Sequence, residues 1–369
     1  ILFGGTNMEN LLRSYSGKTI LITGHTGFKG SWLTLWLLKL GAKVIGYSLD
    51  PYSQRDNFVL SKLSDKIVDI RGDVRDYNHL KEVFETYKPE IVFHLAAQPL
   101  VRLSYDIPRE TIETNVMGTV NILEAFRNTK ESKVLVIITS DKCYENKEWI
   151  WGYREIDEMG GYDPYSASKG AAEILSNAYL RSFFNPKDFN KHGKAIATVR
   201  AGNVIGGGDW SKDRLIPDCV RFTEEGKSIQ IRNPHSLRPW QHVLEPLSGY
   251  LLLGAKLLED PVKFAGAWNF GPYLQSIVPV KDVVELFIKY YGNGEWVDTS
   301  DVNQPHEARL LSLDISKAKF YLGWEPTLNL EETIKLTVDW YKNYNKTDVY
   351  NLCMEQIEFF EKKSKFLEG

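Results

Sequence analysis

The feature of this sequence that most constrains its fold is a glycine-rich turn between two apolar segments near the start of the chain. Residues 19–23 are apolar and β-branched, as in a buried strand, and residues 31–39 are apolar enough for a buried helix. Glycines between them permit a tight turn and let a diphosphate approach the N–H groups at a helix N-terminus. The sequence therefore predicts a dinucleotide-binding turn with these candidate contacts: Gly24, His25, Thr26, Gly27, Phe28, Lys29 and Gly30.

Strand-like and helix-like segments alternate through the first half of the chain. Predicted strands lie at residues 43–47, 67–70, 91–95, 133–139 and 195–200, and predicted helices at residues 78–87, 111–127 and 167–182. This alternation predicts an α/β fold, a Rossmann-like doubly wound parallel sheet covered by helices on both faces. After Asn203 the rhythm breaks into glycine- and proline-rich segments, which indicate a smaller C-terminal lobe, and residues 267–270 are expected to return to the main sheet.

The residues after the second predicted strand indicate which dinucleotide is bound. Ser48 and Asp50 follow the last glycine at about the distance where an acidic residue meets the adenosine ribose. Asp50 favours NAD, whereas Arg55 nearby leaves NADP open. Asp73 and Val74, after the third strand, are candidates for the adenine edge, and the alternative for Asp73 is that it only caps the next helix.

We expect residues 17–203 to form the NAD-binding domain, which also takes in about residues 240–272. Residues 204–239 and 273–369 are expected to form the substrate-binding lobe. Residues 1–16 are expected to be a leader, with disorder as one possibility.

Composition excludes several classes of function. The chain has 369 residues, a formal net charge of -3 and no basic stripe, so no nucleic-acid partner is expected. Its apolar runs are too short to span a bilayer, so no membrane partner is expected either. The widely spaced Cys143, Cys219 and Cys353 suggest neither a disulfide framework nor a metal site, and favour the cytoplasm.

A second motif combines a tyrosine and a lysine four residues apart. Tyr165 and Lys169 share one face of a predicted helix, so the ammonium is expected to lower the pKa of the phenol. The preceding predicted strand ends at Thr139 and Ser140, and a hydroxyl there could bind the same substrate oxygen as the phenol. A glycine turn, a hydroxyl at a strand end and this pair together indicate oxidoreductase chemistry at a sugar hydroxyl.

From residue 18 to about residue 344 the chain resembles the extended short-chain dehydrogenase/reductase family, and within it the sugar-nucleotide 4,6-dehydratases. The resemblance rests on these runs: TGHTGFKG (23–30), HLAAQPLVRLSY (94–105), TN..GT.N.LEA (114–125), TSDKCYEN (139–146), PYSASK (164–169), RAGNVIGGGDW (200–210), RPWQHV (238–243) and LGW.P (322–326).

The resemblance implies a set of catalytic roles. Tyr165 would take the proton of the C4 hydroxyl, Ser140 would hold that oxygen, and Lys169 would also anchor the nicotinamide ribose. Asp141 would protonate the departing C6 hydroxyl. Lys142 stands where related dehydratases carry the glutamate that removes the C5 proton, and the alternative is that Lys142 only pairs with Asp141 or with Glu145 at the rim.

The resemblance also implies binding residues. Leu95, Ala96, Ala97, Gln98 and Thr139 would line the cofactor, and Asn115 would support the tyrosine. The substrate contacts would be Ser104, Asn203, Arg214, Arg238 and Arg309. His25 and Lys29 depart from the small and apolar residues usual in the family turn, so they are expected to weaken or reshape cofactor binding, or Lys29 to compensate by meeting a phosphate.

For the substrate, the resemblance favours a CDP-linked glucose. UDP- or dTDP-linked sugars, a sugar-nucleotide 4-epimerase and a catalytically silent dinucleotide-binding regulator are the alternatives. The resemblance further implies a homodimer or homotetramer that pairs through the helix at residues 111–127 and the helix of Tyr165, and a place in deoxysugar synthesis for a cell-surface polysaccharide.

Overall fold

The computed structural model describes residues 8–300 and 310–364, and its centre is a seven-stranded parallel sheet. The strands are β1 (Thr19–Thr23), β2 (Lys43–Ser48), β3 (Val68–Arg71), β4 (Ile91–His94), β5 (Val134–Ile138), β6 (Ala195–Arg200), β7 (Val204–Ile205), β8 (Ile229–Ile231), β9 (Leu237–Pro239), β10 (Gln241–His242), β11 (Gly266–Asn269), β12 (Ile277–Pro279) and β13 (Trp296–Asp298).

The order of strands in the main sheet is β11-β6-β5-β4-β1-β2-β3. β1 therefore pairs with β2 on one side and with β4 on the other, and the chain reverses its direction of winding between them. In an open parallel sheet, such a switch point opens a crevice at the carboxyl ends of the strands, where ligands bind. The predicted Rossmann-like fold is confirmed, and so is the return of residues 267–270, since β11 pairs with β6.

Helices cover both faces of this sheet. They are α1 (Met8–Tyr15), α2 (Phe28–Lys39), α3 (Asn57–Leu60), α4 (Tyr77–Tyr87), α5 (Val101–Asp106), α6 (Pro108–Ile112), α7 (Gly118–Asn128), α8 (Pro164–Ser182), α9 (Phe189–His192), α10 (Leu215–Glu224), α11 (Leu244–Glu259), α12 (Pro261–Phe264), α13 (Val280–Tyr291), α14 (Leu330–Asn343) and α15 (Val349–Lys363). Among the described residues, no helix combines the length and the apolar character that crossing a membrane would require.

The two faces carry separate apolar cores. On one face, alternate side chains of the strands pack with α4 and α7 in a cluster that includes Leu21, Leu80 and Ile122. The opposite face packs against α2 and α11, and this larger cluster continues into the C-terminal lobe. Because both faces are covered, the strands read as continuous apolar runs rather than as alternating ones.

The expected leader is partly wrong. Residues 8–15 form α1, and the Tyr15 ring is fully buried with its hydroxyl donating to the Leu251 carbonyl oxygen at 2.5 Å. The Tyr15 ring gains apolar neighbours, and its hydroxyl gains a hydrogen-bond acceptor on α11. Both parts of the side chain therefore favour packing of α1 against α11. The leader expected over residues 1–16 is therefore corrected for its second half, while residues 1–7 lie outside the described part.

The long helix predicted at residues 111–127 contains an irregular turn. α6 and α7 are joined by a π-helical segment, Glu113–Met117, which carries Asn115 at its centre. Such π-helical turns are often found at functional sites because they re-aim one side chain without ending the helix.

The C-terminal lobe is built from short strand pairs and helices. β7 pairs with β10, β8 with β13, and β9 with β12 in the one antiparallel pair among the described strands. α13 and α14 pack together across this lobe. The division into a dinucleotide domain and a substrate lobe remains a prediction.

Candidate active site

The glycine turn lies at the carboxyl end of β1, where the crevice opens. Gly24 has φ of +75°, and a Cβ there would come within 2.8 Å of the Ala96 nitrogen. A Cβ on Gly30 would meet the Gly24 oxygen at 2.1 Å. Gly27, by contrast, is exposed, and it begins α2 without a side-chain cap. The free N–H groups of a helix N-terminus beside an open glycine form a cradle that fits the pyrophosphate of NAD.

The side chain of His25 points away from this cradle. Its ring is fully buried, with Nε2 at 2.7 Å from Asp69 Oδ1. It occupies the space left by Gly46 on β2, where a Cβ would come within 2.4 Å of the ring. Burial, as the largest cause, lowers the pKa of His25 despite its carboxylate partner. The expectation that a bulky His25 stands in the way of the cofactor is therefore corrected.

Thr26 and Ser48 tie the turn to the end of β2. Their hydroxyls share a hydrogen bond of 2.8 Å, and Thr26 also donates to the Leu49 oxygen at 3.0 Å. Asp50, two residues further on, keeps 87% of its side chain exposed and lies 3.3 Å from Arg71 Nε. Asp50 is therefore the acid available for a ribose, while the Ser48 hydroxyl is already engaged.

Arg55 is held elsewhere. Its guanidinium pairs with Glu224 at 2.7 Å and lies 3.6 Å from the centre of the Trp210 ring. These contacts attach α10 of the C-terminal lobe to the segment after β2. They leave the case for NADP through Arg55 without support from the structure.

The side chains of Asp73 and Val74 serve the protein itself. Asp73 accepts from the Arg75 backbone nitrogen at 2.9 Å and from its guanidinium, which lowers the pKa of Asp73. The cap of α4 is Asp76, not Asp73. The Val74 side chain is buried, and a Cβ on Gly118 would come within 2.7 Å of it. Any contact of these two residues with an adenine would thus be made by their backbone atoms.

The segment after β4 is fixed by Asn115 and Gln98. Asn115 Oδ1 accepts from the Gln98 nitrogen at 2.8 Å, and Asn115 Nδ2 donates to the Ser168 hydroxyl at 2.8 Å. Ser168 in turn donates to the Tyr165 carbonyl oxygen at 2.6 Å. Asn115 thus supports the helix turn that carries the tyrosine, as the resemblance implied, and it also fixes the loop that contains Leu95, Ala96 and Ala97.

Tyr165 and Ser140 meet at the centre of the crevice. Tyr165 lies in the first turn of α8, which Asp163 caps at the Ser166 nitrogen. The Ser140 hydroxyl lies close enough to the Tyr165 phenol to lower its pKa, and it donates to Asp141 Oδ1 at 3.0 Å. The three side chains form one continuous chain of polar groups from the phenol to the carboxyl.

Burial controls the acidity of Tyr165 and Lys169. It raises the pKa of Tyr165 to about 12, against the opposing effects of the Ser140 hydroxyl and Arg214. It also lowers the pKa of Lys169 to about 8, which the charge of Glu173 partly offsets. The expectation that Lys169 lowers the pKa of the phenol is therefore not met in the chain alone, because desolvation is the larger effect.

Three cations converge on the same space. Burial, followed by the charges of Arg214 and Lys169, lowers the pKa of Lys29 to about 8, which places all three groups near one another. Arg214 also donates to Asp209 at 2.8 Å and is close enough to influence Tyr165. A cluster of cations in a crevice suits diphosphate groups, which arginine binds in a bidentate manner.

The other predicted substrate residues have different positions. Ser104 is fully buried, donates to the Val101 oxygen at 2.6 Å and accepts from the Tyr165 nitrogen at 3.2 Å, so it holds α8 and is corrected as a substrate contact. Asn203 follows β6 with φ of +48°. Arg238 lies on β9, and Arg309 falls outside the described residues.

Lys142 follows Asp141 in a short 3-10 turn, Asp141–Cys143, that continues β5 into the crevice. The Ser140 hydroxyl accepts from the Lys142 nitrogen at 3.2 Å, which fixes the backbone of the turn. Lys142 is half-buried, and across residues 8–300 and 310–364 its ammonium forms no ion pair with Asp141 or Glu145. The rim pairing considered from the sequence is therefore absent.

Sequence reasoning missed a buried network behind the site. Glu173 accepts from Thr139 at 2.5 Å, from Thr198 at 2.7 Å and from both Nε and Nη2 of Arg200. The Thr139 hydroxyl therefore points into the core, and its assignment as a cofactor contact is corrected for the side chain. The signal was available, because Glu173 follows Lys169 by four residues and so shares its helix face.

Comparisons with known proteins agree with this geometry. The model of the GDP-mannose 4,6 dehydratase family matches residues 21–337. The chain is 50% identical over 343 residues to CDP-glucose 4,6-dehydratase of Salmonella typhimurium strain LT2, a match that covers 93% of this chain and 95% of that protein. It is 26% identical over 366 residues to dTDP-glucose 4,6-dehydratase of the same strain, covering 91% of this chain and 98% of that one.

A solved structure shares the fold. DesIV (dTDP-glucose 4,6-dehydratase) from Streptomyces venezuelae, with NAD and TYD bound, matches with a TM-score of 0.75 at 22% identity and covers 90% of this chain and 99% of that one. Since the family model spans most of the sequence and a relative shares half of the aligned residues, the chain belongs to the GDP-mannose 4,6 dehydratase family.

Proposed function

We propose that this protein is a CDP-glucose 4,6-dehydratase, which converts CDP-D-glucose into CDP-4-keto-6-deoxy-D-glucose and water. The observation that carries the proposal is the 50% identity to CDP-glucose 4,6-dehydratase of Salmonella typhimurium along nearly the whole of both chains. The site supports it, since a phenol lies beside a hydroxyl that is hydrogen-bonded to a carboxyl, with three cations nearby.

NAD, when bound, supplies the acceptor that takes hydride from C4 and returns it to C6 within one turnover. Gly27 and the N-terminus of α2 would hold its pyrophosphate, Asp50 its adenosine ribose and Lys169 its nicotinamide ribose. Lys169 titrates near pH 8, so its ammonium charge is available at neutral pH.

Tyr165 takes the proton of the C4 hydroxyl, and Ser140 connects the phenol with Asp141. For the phenol of Tyr165 to act as a base, the bound ligands must lower its pKa from about 12. A positively charged Lys169 near the phenol favours the ionised form and so lowers this pKa. The proton can then pass from Tyr165 through the Ser140 hydroxyl to Asp141 Oδ1. Asp141 gives it to the departing C6 hydroxyl, so the C4 proton leaves in the product water and the balance of protons closes.

Lys142 removes the proton at C5, which the C4 ketone has made acidic, and returns one there after elimination. A neutral amine is required for this step, and the missing ion pair with Asp141 or Glu145 leaves the nitrogen free of a fixed carboxylate partner. Any proton held on the amine can exchange with solvent between removal and return. The product should therefore carry solvent hydrogen at C5.

The decisive experiment compares four sugar nucleotides with the purified chain and added NAD: CDP-glucose, dTDP-glucose, UDP-glucose and UDP-N-acetylglucosamine. The base-labile chromophore of a 4-keto-6-deoxy sugar reports the product. Product from CDP-glucose alone supports both the dehydration reaction and the assignment of CDP as the nucleotide of the substrate. Product from another nucleotide retains the dehydratase and rejects the CDP assignment.

A run in heavy water separates dehydration from 4-epimerisation, the alternative reaction. Dehydration incorporates deuterium at C5, whereas epimerisation through C4 leaves C5 untouched. Undeuterated C4 epimer without a keto product would overturn the dehydratase assignment.

Three further features belong to the same proposal. The protein acts as a homodimer or homotetramer, it works in the cytoplasm, and its product enters deoxysugar synthesis for a surface polysaccharide such as the O-antigen of lipopolysaccharide. Exposed apolar side chains on α5, α6 and α8 support self-association.

A further inference from the structure

Three buried polar atoms without a hydrogen-bond partner gather behind the catalytic chain. They are Asp141 Oδ2, Gln241 Oε1 and Tyr250 Oη, on residues that are 2%, 2% and 0% exposed. Buried polar atoms in native proteins are nearly always hydrogen-bonded, so a group of unpartnered ones calls for a functional explanation. Gln241 on β10 and Tyr250 on α11 are not among the residues that the sequence motifs assign to the site.

All three atoms belong to side chains that surround Gly202 and Phe270. A Cβ on Gly202 would come within 1.8 Å of Asp141 Oδ2, so the carboxyl is pressed against this glycine. Gln241 Nε2 donates to the Gly202 oxygen at 3.1 Å and to the Phe270 oxygen at 3.2 Å. The Tyr250 ring packs edge to face against Phe270 with ring centres 5.8 Å apart.

The hydrogen-bonding roles in this group follow from those contacts. Because Gln241 Nε2 donates to two carbonyl oxygens, the amide orientation is fixed and Oε1 is left as an acceptor. Asp141 Oδ2 is also an acceptor when the carboxyl is ionised. The Tyr250 hydroxyl is therefore the one group of the three that can always donate, whereas the other two atoms are acceptors.

We propose that Tyr250 is a positioning residue for the general acid Asp141, with its hydroxyl acting on Oδ2 through one buried water shared with Gln241 Oε1. The inference rests on the proposed dehydratase function. Ser140 engages Oδ1 and Tyr250 engages Oδ2, so the carboxyl is held from both sides and its plane is fixed toward the C6 hydroxyl.

Electrostatics agree with the proposed contact. Burial, followed by the charges of Asp141 and Tyr165, holds the pKa of Tyr250 above its ordinary value. Tyr250 thus keeps its proton throughout the working pH range and lies close enough to both catalytic groups to feel their charge. A second tyrosine beside the site is then a permanent donor, in contrast to Tyr165, which must give up its proton.

The test is Tyr250→Phe, which removes only the hydroxyl, compared with Tyr15→Phe. Tyr15 is an equally buried tyrosine whose hydroxyl bonds to the same helix, α11, through the Leu251 oxygen. With CDP-glucose, we expect kcat of Tyr250→Phe to fall about 10-fold or more, the scale of one lost hydrogen bond to a charged or catalytic group. KM should stay near the wild-type value because the substrate contacts are intact.

The spectrum of the nicotinamide during turnover identifies the step. Oxidation at C4 depends on Tyr165 and Ser140, so it should continue in Tyr250→Phe while the elimination that needs Asp141 slows. Reduced cofactor should then accumulate in Tyr250→Phe and not in Tyr15→Phe. A merely structural role would lower stability in both variants without this accumulation.

Gly202→Ala tests the same contact by moving Asp141 instead of removing the Tyr250 hydroxyl, because the added methyl group must displace the Asp141 carboxyl. It should reproduce the accumulation of reduced cofactor. If Tyr250→Phe or Gly202→Ala kept the wild-type kcat and accumulated no reduced cofactor, the inference about Tyr250 would be overturned. The proposed dehydratase function would still stand, because the wild-type protein would be active. A wild-type protein that turns over none of the four sugar nucleotides would overturn the proposed function and this inference with it.

Discussion

At the residue scale, the position that most distinguishes this site is Lys142. The chain places an amine next to Asp141, the proposed general acid, where the resemblance implies a glutamate in related dehydratases, and Lys142 is the proposed base for the same C5 proton. The half-buried position without an ion pair to Asp141 or Glu145 keeps the nitrogen accessible to substrate. The proposed role of Lys142 as the C5 base therefore depends on its own amine and not on a carboxylate partner.

Replacing Lys142 with methionine retains the length of the side chain and removes the amine. We expect formation of the 4-keto-6-deoxy product to fall about 10²–10⁴-fold, the usual contribution of a general base. Deuterium incorporation at C5, measured by mass spectrometry in heavy water, should stop as well, while oxidation at C4 continues. Binding of the sugar nucleotide should be little affected.

Lys147→Met is the matched control on the same segment. Lys147 pairs with Glu158 at 3.1 Å on the surface, so its removal should leave the rate and the C5 exchange unchanged. If Lys142→Met still exchanged its C5 hydrogen at the wild-type rate, the base would have to be another residue.

At the element scale, the buried pair of Glu173 and Arg200 joins α8 to the ends of β5 and β6. Replacing Glu173 with glutamine leaves the Arg200 guanidinium buried without a counter-charge. We expect a loss of about 3–5 kcal/mol in the free energy of unfolding, as when one partner of a buried ion pair is removed. Chemical denaturation of both proteins measures the difference.

The control for this pair is Asp188→Asn. Asp188 and Lys191 form an exposed ion pair, and surface pairs contribute less than about 1 kcal/mol. Similar losses in the two variants would show that burial does not govern the Glu173 interaction.

A second interaction between elements involves Glu245, in the first turn of α11. Its fully buried carboxyl accepts from the Thr327 and Leu328 backbone nitrogens and so fixes the segment before α14. Burial raises the pKa of Glu245 to about 8, and those N–H groups only partly oppose the shift. The raised value means that the folded protein holds a proton here at neutral pH that the unfolded chain releases.

This shift has a definite sign in the pH dependence of stability. The stabilisation by protonated Glu245 is complete below the ordinary glutamate pKa and is lost as pH rises toward about 8. Glu245→Gln mimics the protonated form, so its stability should decline less over that interval. At pH 8 the relative gain should be roughly 1–3 kcal/mol.

Thermal or denaturant unfolding at a series of pH values would measure this, with the exposed Glu259→Gln as the control. A wild-type protein whose stability falls no more steeply than that of Glu245→Gln would contradict the prediction.

At the scale of the whole molecule, adjoining helices present apolar side chains to solvent. Leu103 on α5 and Ile112 on α6 are 38% and 48% exposed, Met117 at the end of the π-helical turn is 50% exposed, and Ile174 on α8 is 59% exposed. α6 and the π-helical turn pack directly against α8, so these side chains belong to one surface. Such a surface is typical of a subunit interface.

Ile174→Glu together with Met117→Glu should therefore convert the proposed oligomer into monomers, because two charges would be buried in the interface. Light scattering coupled to size exclusion measures the mass. Ile156→Glu is the control, since Ile156 is 83% exposed in the segment before α8 and belongs to none of those helices. A wild-type monomer, or a double variant with unchanged mass, would reject this interface.

Much of the fold was predictable because it depends on local pattern. The glycine turn, the alternation of strands and helices and the spacing of Tyr165 and Lys169 are short-range signals, and each led to an element that the structure contains. Short-range signals also misled. The polar side chains of His25, Thr139 and Ser104 lie within the motifs, yet the structure directs all three into the interior.

The sequence therefore predicted the doubly wound sheet, the glycine turn after its first strand and the residues Ser140, Asp141 and Tyr165 of the site. Where each polar group points, and what lies behind the site, depends on tertiary packing. Glu173 and Arg200, for example, come from separate elements and meet only when α8 packs on the sheet. Periodicity fixes which face of an element is buried, but desolvation and hydrogen bonding in the packed core choose the partner.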